Sequence, residues 1–229
     1  MVASPNNGIP ASSRELVQIV AGVPTSDGDG VKLTRIIGSP KLDMLDPFLL
    51  LDLFESDQAS DYIGGFPSHP HRGFQTVTYM LAGRMRHKDN AGHEGVIEAG
   101  GVQWMNAGRG VIHSEMPEQQ SGLLAGFQLW VNLPAADKLS PPDYQEFAAA
   151  EIPAQVHEPG ISIKVISGKT DFATTGPVSI AATEPLYFDI DLDAGVAFSQ
   201  RIPQGHNGFI YVIDGGVMAG EGAWQLRQG

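Results

Sequence analysis

The clusters His69-Pro70-His71 and His113-Ser114-Glu115 hold four side chains of the types that bind metals, about forty residues apart in the chain. In an extended strand, side chains alternate between two faces, so residues i and i+2 point the same way. Each cluster therefore offers two candidate ligands on one face of one strand. If the two strands pair, three imidazoles and one carboxylate meet at the strand spacing of about 4.8 Å, which predicts a metal site.

The segment between the clusters, Gln75 to Ile112, has the pattern of strands joined by turns. Apolar residues alternate at Val77, Tyr79 and Leu81, as in a half-buried strand. Glycines then interrupt the segment at Gly83, Gly92, Gly95, Gly100, Gly101, Gly108 and Gly110. Because glycine favours turns, we expect the segment to fold back and bring the second cluster to the first. For any single histidine, an ordinary hydrogen-bonded role in a strand remains the alternative.

Three imidazoles and one carboxylate suit Fe(II), with Mn, Cu, Ni and Zn as alternatives. The chain contains no cysteine, so no thiolate contributes, and disulfides and thiol redox switches are excluded. Four such ligands would fill a tetrahedral zinc site, whereas an octahedral ion would keep two positions for water, O2 or substrate. Oxygen chemistry therefore requires the octahedral case.

The composition indicates an all-β protein without a basic surface. The 229 residues include 28 glycines and 16 prolines, which favour short strands and turns over long helices, in one or two β-barrels. The net charge of −12 argues against direct contact with nucleic acid or an anionic membrane, since both require positive charge on the protein. We expect a cytoplasmic protein, or a nuclear one if the organism is eukaryotic.

Two segments that contain the clusters resemble the pirins, a family of the cupin superfamily. They run from His69 to Val77 and from Gly101 to Pro117, and the likeness extends from about Leu42 to Gln145. The resemblance implies a bicupin, with two cupin-type β-barrels, and a single non-haem iron in the N-terminal barrel. It also implies which residues hold that iron, by their match to the family's ligands: His69, His71, His113 and Glu115.

The resemblance implies two kinds of function. Some pirins show quercetin 2,3-dioxygenase activity, and an animal member is a nuclear cofactor of a Rel-type transcription factor. Our first hypothesis is therefore an Fe(II) dioxygenase that acts on a flavonol or a similar small aromatic substrate. The alternative is a non-enzymatic, iron-dependent regulator that acts through a protein partner. A purely structural metal is the third hypothesis.

Four further residues near the clusters are candidates for the surroundings of the metal or for substrate contact: Gln75, Arg72, Arg109 and Trp104. Many pirins and other cupins carry a glutamate where this chain has Gln75. In pirins that glutamate is not a ligand, but an amide cannot act as a general base, so no catalytic base is assigned. The arginines could bind an anionic substrate or pair with carboxylates, and Trp104 could belong to the core.

Two more histidines, His87 and His93, lie in the polar stretch from Arg84 to His93. This stretch also contains Lys88 and Asn90, a composition typical of an exposed loop. We therefore predict that both histidines are solvated and do not count them as ligands.

The predicted domain organisation has four parts. Residues 1–14 are polar, with neither a basic leader nor an apolar core, so we expect a flexible N-terminus that is not a signal peptide. Residues 15–134 form the metal-binding barrel, in which 16–20 and 31–37 are predicted strands and 27–30 a turn. Residues 135–153 form a linker with a short helix near 144–150, and residues 154–229 a second cupin-like domain.

The second domain contains a faint copy of the first cluster. His206-Asn207-Gly208-Phe209 matches His71-Arg72-Gly73-Phe74, and an apolar stretch that predicts a strand follows each. Gln204 stands where His69 would be, so neither His206 nor His157 has a partner and we expect no second metal site. A counterpart of the second cluster would fall beyond Gly229. We therefore expect a degenerate, incomplete C-terminal barrel, as a natural short form or a truncation.

Overall fold

The computed structural model describes residues 14–156 and 159–229, and these residues form an almost entirely β structure. This confirms the predicted all-β class. The predicted single histidine at position 157 lies outside the described residues. No helix in the two described ranges is long and apolar enough to cross a membrane. The strands are β1 Val23–Asp27, β2 Val31–Ile37, β3 Phe48–Ser56, β4 Phe66–His71, β5 Phe74–Ala82, β6 Arg84–Asp89, β7 Glu94–Glu98, β8 Val102–Asn106, β9 Val111–Pro117, β10 Leu124–Asn132, β11 Asp143–Phe147, β12 Ala154–Val156, β13 Ile161–Ser167, β14 Tyr187–Leu192, β15 Gly216–Ala219 and β16 Trp224–Arg227.

Seven strands form the largest sheet, in the order β1, β2, β3, β10, β5, β8, β11. Its first hairpin turns at the predicted place, where Gly28 and Gly30 have φ of 57° and 81°, a conformation that favours glycine. The strand predicted at Leu16–Val20 is wrong, because those residues have no regular structure. Pairing with β2 begins only at Val23, beyond the end of the predicted strand.

A second sheet of four strands, in the order β4, β9, β6, β7, packs against the first. One core cluster joins both sheets through buried apolar side chains. Such face-to-face packing encloses a barrel interior between two sheets. The cluster includes Leu33, Phe54, Met80 and Leu124 from the seven-stranded sheet, and Met85 and Ile97 from the four-stranded sheet.

The stretch predicted as a linker adds a strand to the barrel. β11 pairs with β8 at the edge of the seven-stranded sheet, with Tyr144 opposite Met105. The predicted helix near 144–150 is therefore wrong, and only Ala149–Glu151 forms a 3-10 turn. A seven-residue helix is marginal by itself, whereas the open edge of β8 supplies hydrogen bonds along the whole strand. The predicted domain boundaries stay a prediction.

The C-terminal part contains a three-stranded sheet, β12-β13-β14, and the hairpin β15-β16. The strand predicted after His206 is not formed, since residues 208–213 have no regular structure. Among the described residues, neither of these two sheets closes into a barrel by itself. The chain divides into two compact units, one of residues 22–207 and one that combines residues 14–21 with residues 208–229.

Candidate metal centre

Strands β4 and β9 bring the two clusters side by side. They pair antiparallel, with His69 directly opposite His113. β4 is an edge strand, a position where Pro70 is tolerated although it has no N–H to donate. The register shifts between Phe66 and His69, and such an irregularity re-aims side chains. The two strands thereby turn three histidines toward one point.

The imidazole nitrogens of these histidines lie very close together. His69 Nε2 is 2.9 Å from His71 Nε2 and 3.0 Å from His113 Nε2. Within the described part of the chain, these three side chains form the group of His, Cys, Asp or Glu residues that could hold a metal ion, with ligand atoms within 4.8 Å of one another. His71 and His113 are buried and His69 is half-buried, so solvent approaches the group from the His69 side.

Electrostatics favour the neutral form of two of these imidazoles, those of His71 and His113. Burial, together with the neighbouring histidines, lowers the pKa of His71 and of His113 to about 3. A neutral imidazole has one nitrogen with a hydrogen and one with a free lone pair. If all three Nε2 atoms carried hydrogens or all three carried lone pairs, they would repel one another at these distances. A cation between them removes the conflict, so the donor set fits a metal ion.

Glu115 lies beside the histidines, and its carboxylate forms hydrogen bonds with two residues of the seven-stranded sheet. Its Oε2 is 3.9 Å from His113 Nε2, and the residue is 4 % exposed. The Thr78 hydroxyl on β5 lies 3.0 Å from Glu115 Oε1, and Gln128 Nε2 on β10 donates to Oε2 at 3.4 Å. Neither Thr78 nor Gln128 was a candidate from the sequence. Both are polar residues that alternate with apolar neighbours in the sequence, and this alternation is the signal that could have identified them.

Gln75 and Trp104 lie together on the other face of the seven-stranded sheet. Gln75 is three residues before Thr78 on β5, so the two side chains point to opposite faces. Trp104 is opposite Val77 in the register of β5 and β8, and its Nε1 donates to Gln75 Oε1 at 3.1 Å. Both residues are buried. The structure therefore does not bring them to the three histidines and places them in the core of the opposite face.

Arg72 and Arg109 lie on two adjoining loops at the end of the histidine strands. The loops are joined by a hydrogen bond from Gly73 N to Gly108 O, at 2.8 Å. Both arginines are exposed, and among the described residues neither guanidinium forms an ion pair. A role for them in substrate binding stays a prediction.

The prediction that Arg84–His93 is an exposed loop is wrong for its first six residues. They form β6, in which Met85, His87 and Asp89 are buried while Arg84 and Lys88 are exposed. β6 pairs with β9 and sets His87 opposite Glu115, which carries His87 into the interior. The alternation of charged residues with Met85 and His87 was the available sign of a strand. The high polarity of the segment concealed it.

Two aromatic rings stand next to His71. The Trp130 ring centroid is 5.2 Å from that of His71, and the Phe74 centroid is 4.7 Å from that of Trp130. Trp130 Nε1 is buried and has no hydrogen-bond partner among the described residues. Both rings belong to interior positions of predicted strands. They form an apolar wall beside the histidines, against which a flat molecule could pack.

Comparisons with known proteins identify the family and agree with this fold. The family model described as "Pirin" matches residues 30–131. A pirin-like protein of Caulobacter vibrioides is 57 % identical over 204 residues, which cover 89 % of this chain and 74 % of the relative. Human pirin is 44 % identical over 210 residues, which cover 91 % of this chain and 70 % of the relative.

A solved structure is also similar to this chain in its fold. The structure of quercetin 2,3-dioxygenase from Acinetobacter baumannii superposes with a TM-score of 0.83 at 33 % identity, covering 95 % of this chain and 77 % of that one. This superposition agrees with the barrel fold described above. The chain therefore belongs to the pirin family of cupin proteins.

Proposed function

We propose that His69, His71, His113 and Glu115 bind one Fe(II), and that the protein is a dioxygenase of the quercetin 2,3-dioxygenase type. The convergence of the three Nε2 atoms carries this proposal. Metal–nitrogen bonds of about 2.1 Å at a right angle place two nitrogens about 3.0 Å apart, whereas a tetrahedral angle requires about 3.4 Å. The separations of 2.9 and 3.0 Å are compatible with an octahedral ion, and the choice of Fe(II) among such ions follows the likeness to the pirins.

The likeness to the Acinetobacter baumannii structure supports a flavonol or a related small aromatic substrate. Bound iron would supply the Lewis acidity and the affinity for O2 that such a reaction needs. The chain itself would contribute the wall of Phe74 and Trp130, on which a planar ring can stack. Substrate would enter from the side of His69, the least buried of the three histidines.

Other side chains would orient the ligands and keep water out. Thr78 and Gln128 hold the Glu115 carboxylate in place, and the burial of His71 and His113 excludes solvent behind the metal. Gln75 contributes neither a ligand nor a base, because its side chain lies on the opposite face of the sheet. We expect the protein in the cytoplasm, where reducing conditions favour ferrous iron.

Anaerobic reconstitution with Fe(II), followed by measurement of iron content and of O2 consumption with quercetin, tests the proposal. We expect about one iron per chain and O2 uptake that depends on quercetin. His69→Ala removes one of the three converging nitrogens and should abolish both. His206→Ala, at the histidine of the faint second copy, is the matched control and should retain both.

Two results would contradict the proposal. Bound iron without O2 uptake across a panel of flavonols and catechols would reject the dioxygenase and favour the regulator. Native protein that binds no iron after reconstitution would reject the metal centre itself.

A further inference from the structure

His87 is a completely buried histidine directly behind His113. It is 0 % exposed, and its Nδ1 lies 3.2 Å from His113 Nδ1. This contact is set by the pairing of β6 with β9 and not by proximity in sequence. The two rings meet at their Nδ1 atoms, while the Nε2 atom of His113 faces His69 at 3.0 Å. His87 therefore touches the side of His113 that faces away from the proposed metal.

The contact constrains where the hydrogens lie. To offer a lone pair at Nε2, a neutral His113 must carry its hydrogen on Nδ1. That hydrogen needs an acceptor, and the atom within hydrogen-bond distance is His87 Nδ1. His87 must then be the tautomer with its own hydrogen on Nε2. The same contact is satisfied with His87 as the donor, but only donation by His113 leaves its Nε2 free to bind a metal.

The surroundings of His87 hold its ring in this orientation. The Tyr144 ring lies 5.1 Å away at an angle of 67°, and His93 stacks on Tyr144 at 4.1 Å. The Tyr144 hydroxyl donates to Asp89 Oδ2 at 2.8 Å. His87 Nε2 is buried without a hydrogen-bond partner among the described residues. Such a group is costly to keep in a core, and an apolar residue at this position would avoid that cost.

We propose that His87 is a positioning residue, which accepts a hydrogen bond from His113 Nδ1–H and thereby orients His113 Nε2 toward the metal. This inference rests on the proposed metal centre. Ligand histidines in other metal sites donate their second N–H to an oxygen acceptor, and losing that acceptor costs 10- to 100-fold in metal affinity. Here the acceptor is another imidazole, supplied by a neighbouring strand.

The test measures the affinity of the full chain for Zn(II), a diamagnetic probe, by competition with a chromogenic chelator. His87→Ala removes the acceptor, and we expect affinity to fall by about 10- to 100-fold. In His87→Asn the side-chain Oδ1 can accept from His113 Nδ1–H, so most of the affinity should return. Lys88→Ala changes the exposed residue next to His87 on β6 and leaves His113 and the ring contacts of His87 untouched. It is the matched control and should bind Zn(II) as the native protein does.

A second measurement needs no variant and holds even if His87→Ala does not fold. Nitrogen-15 NMR of the native protein loaded with Zn(II) should show His113 with its hydrogen on Nδ1 and His87 with its hydrogen on Nε2. The opposite tautomers would overturn the inference, as would equal Zn(II) affinity in native protein and His87→Ala. Native protein that binds no Zn(II) would overturn the metal centre and this role together. If native protein binds Zn(II) and His87→Ala binds it more weakly, the result supports both the metal centre and the role of His87. If both bind Zn(II) equally, the metal centre stands and only the role of His87 fails.

Discussion

Which residues of β5 belong to the site depends on the face each one occupies. Gln75 and Thr78 are three residues apart on the same strand, yet only Thr78 reaches Glu115. Gln75 instead accepts the Trp104 indole N–H on the far side of the sheet. Because strand side chains alternate, nearness in sequence to His71 is a poor guide to nearness in space. Gln75, the position at which many pirins carry a glutamate, is therefore a core position in this protein.

The Thr78 hydroxyl supports a prediction at this scale. It lies 3.0 Å from Glu115 Oε1 and 2.7 Å from Gln128 Oε1, and Thr78→Val keeps the shape while removing the donor. We expect metal affinity to fall roughly tenfold, since partners that hold a ligand contribute at that level. Thr76→Val, two residues earlier on the same face and equally buried, is the control. Equal Fe(II) affinity in the two variants would argue against Thr78 as a support of Glu115.

Among the elements, β10 is the centre of the larger sheet. It is hydrogen-bonded to β3 on one side and to β5 on the other, and it carries both Gln128 and Trp130 to the barrel interior. Near its start, Gly126 lets the strand pass close to its neighbours. A Cβ at this position would lie 2.6 Å from Phe54 Cζ and 2.7 Å from Tyr79 O. The absence of a side chain here is therefore a packing requirement.

Gly126→Ala should consequently destabilise the protein. One of the two contacts is with backbone that paired strands hold in place, and overpacking of this kind costs about 1–3 kcal/mol. Urea denaturation at equilibrium measures the free energy of unfolding directly. Gly208→Ala is the control, because a Cβ there meets nothing within 4 Å. Our account of Gly126 fails if the two variants are equally stable.

Within the unit formed by residues 22–207, a polar contact joins the larger sheet to the three-stranded sheet. The Tyr79 hydroxyl on β5 donates to Asp189 Oδ2 on β14 at 2.6 Å, and Lys164 Nζ pairs with the same oxygen at 3.0 Å. Burial and the neighbouring carboxylate raise the pKa of Tyr79 above its ordinary value, so the hydroxyl stays a donor. Tyr79 lies on the same face of β5 as Gln75, away from the histidines.

Tyr79→Phe separates the stability of the molecule from its metal chemistry. Loss of a hydrogen bond to a charged acceptor should lower the free energy of unfolding by about 1–2 kcal/mol. Iron content after reconstitution should not change, because the hydroxyl lies on the face opposite the metal centre. Tyr187→Phe, whose ring is 5.9 Å from that of Tyr79, is the control for loss of a nearby hydroxyl. A loss of iron in Tyr79→Phe would show that the two faces of the sheet are coupled.

The sequence by itself determined which candidate ligands share a face, because the two-residue period is a local property of any strand. It also determined the all-β class, through glycine-rich turns and alternating apolar residues. Local patterns failed where a partner strand decides the outcome, as at β11, which extends along the edge of β8 and does not form the predicted helix. The tertiary structure alone decided which side chains surround the histidines. His87, Thr78 and Gln128 reach the site through the register between strands, and register depends on contacts between residues far apart in the chain.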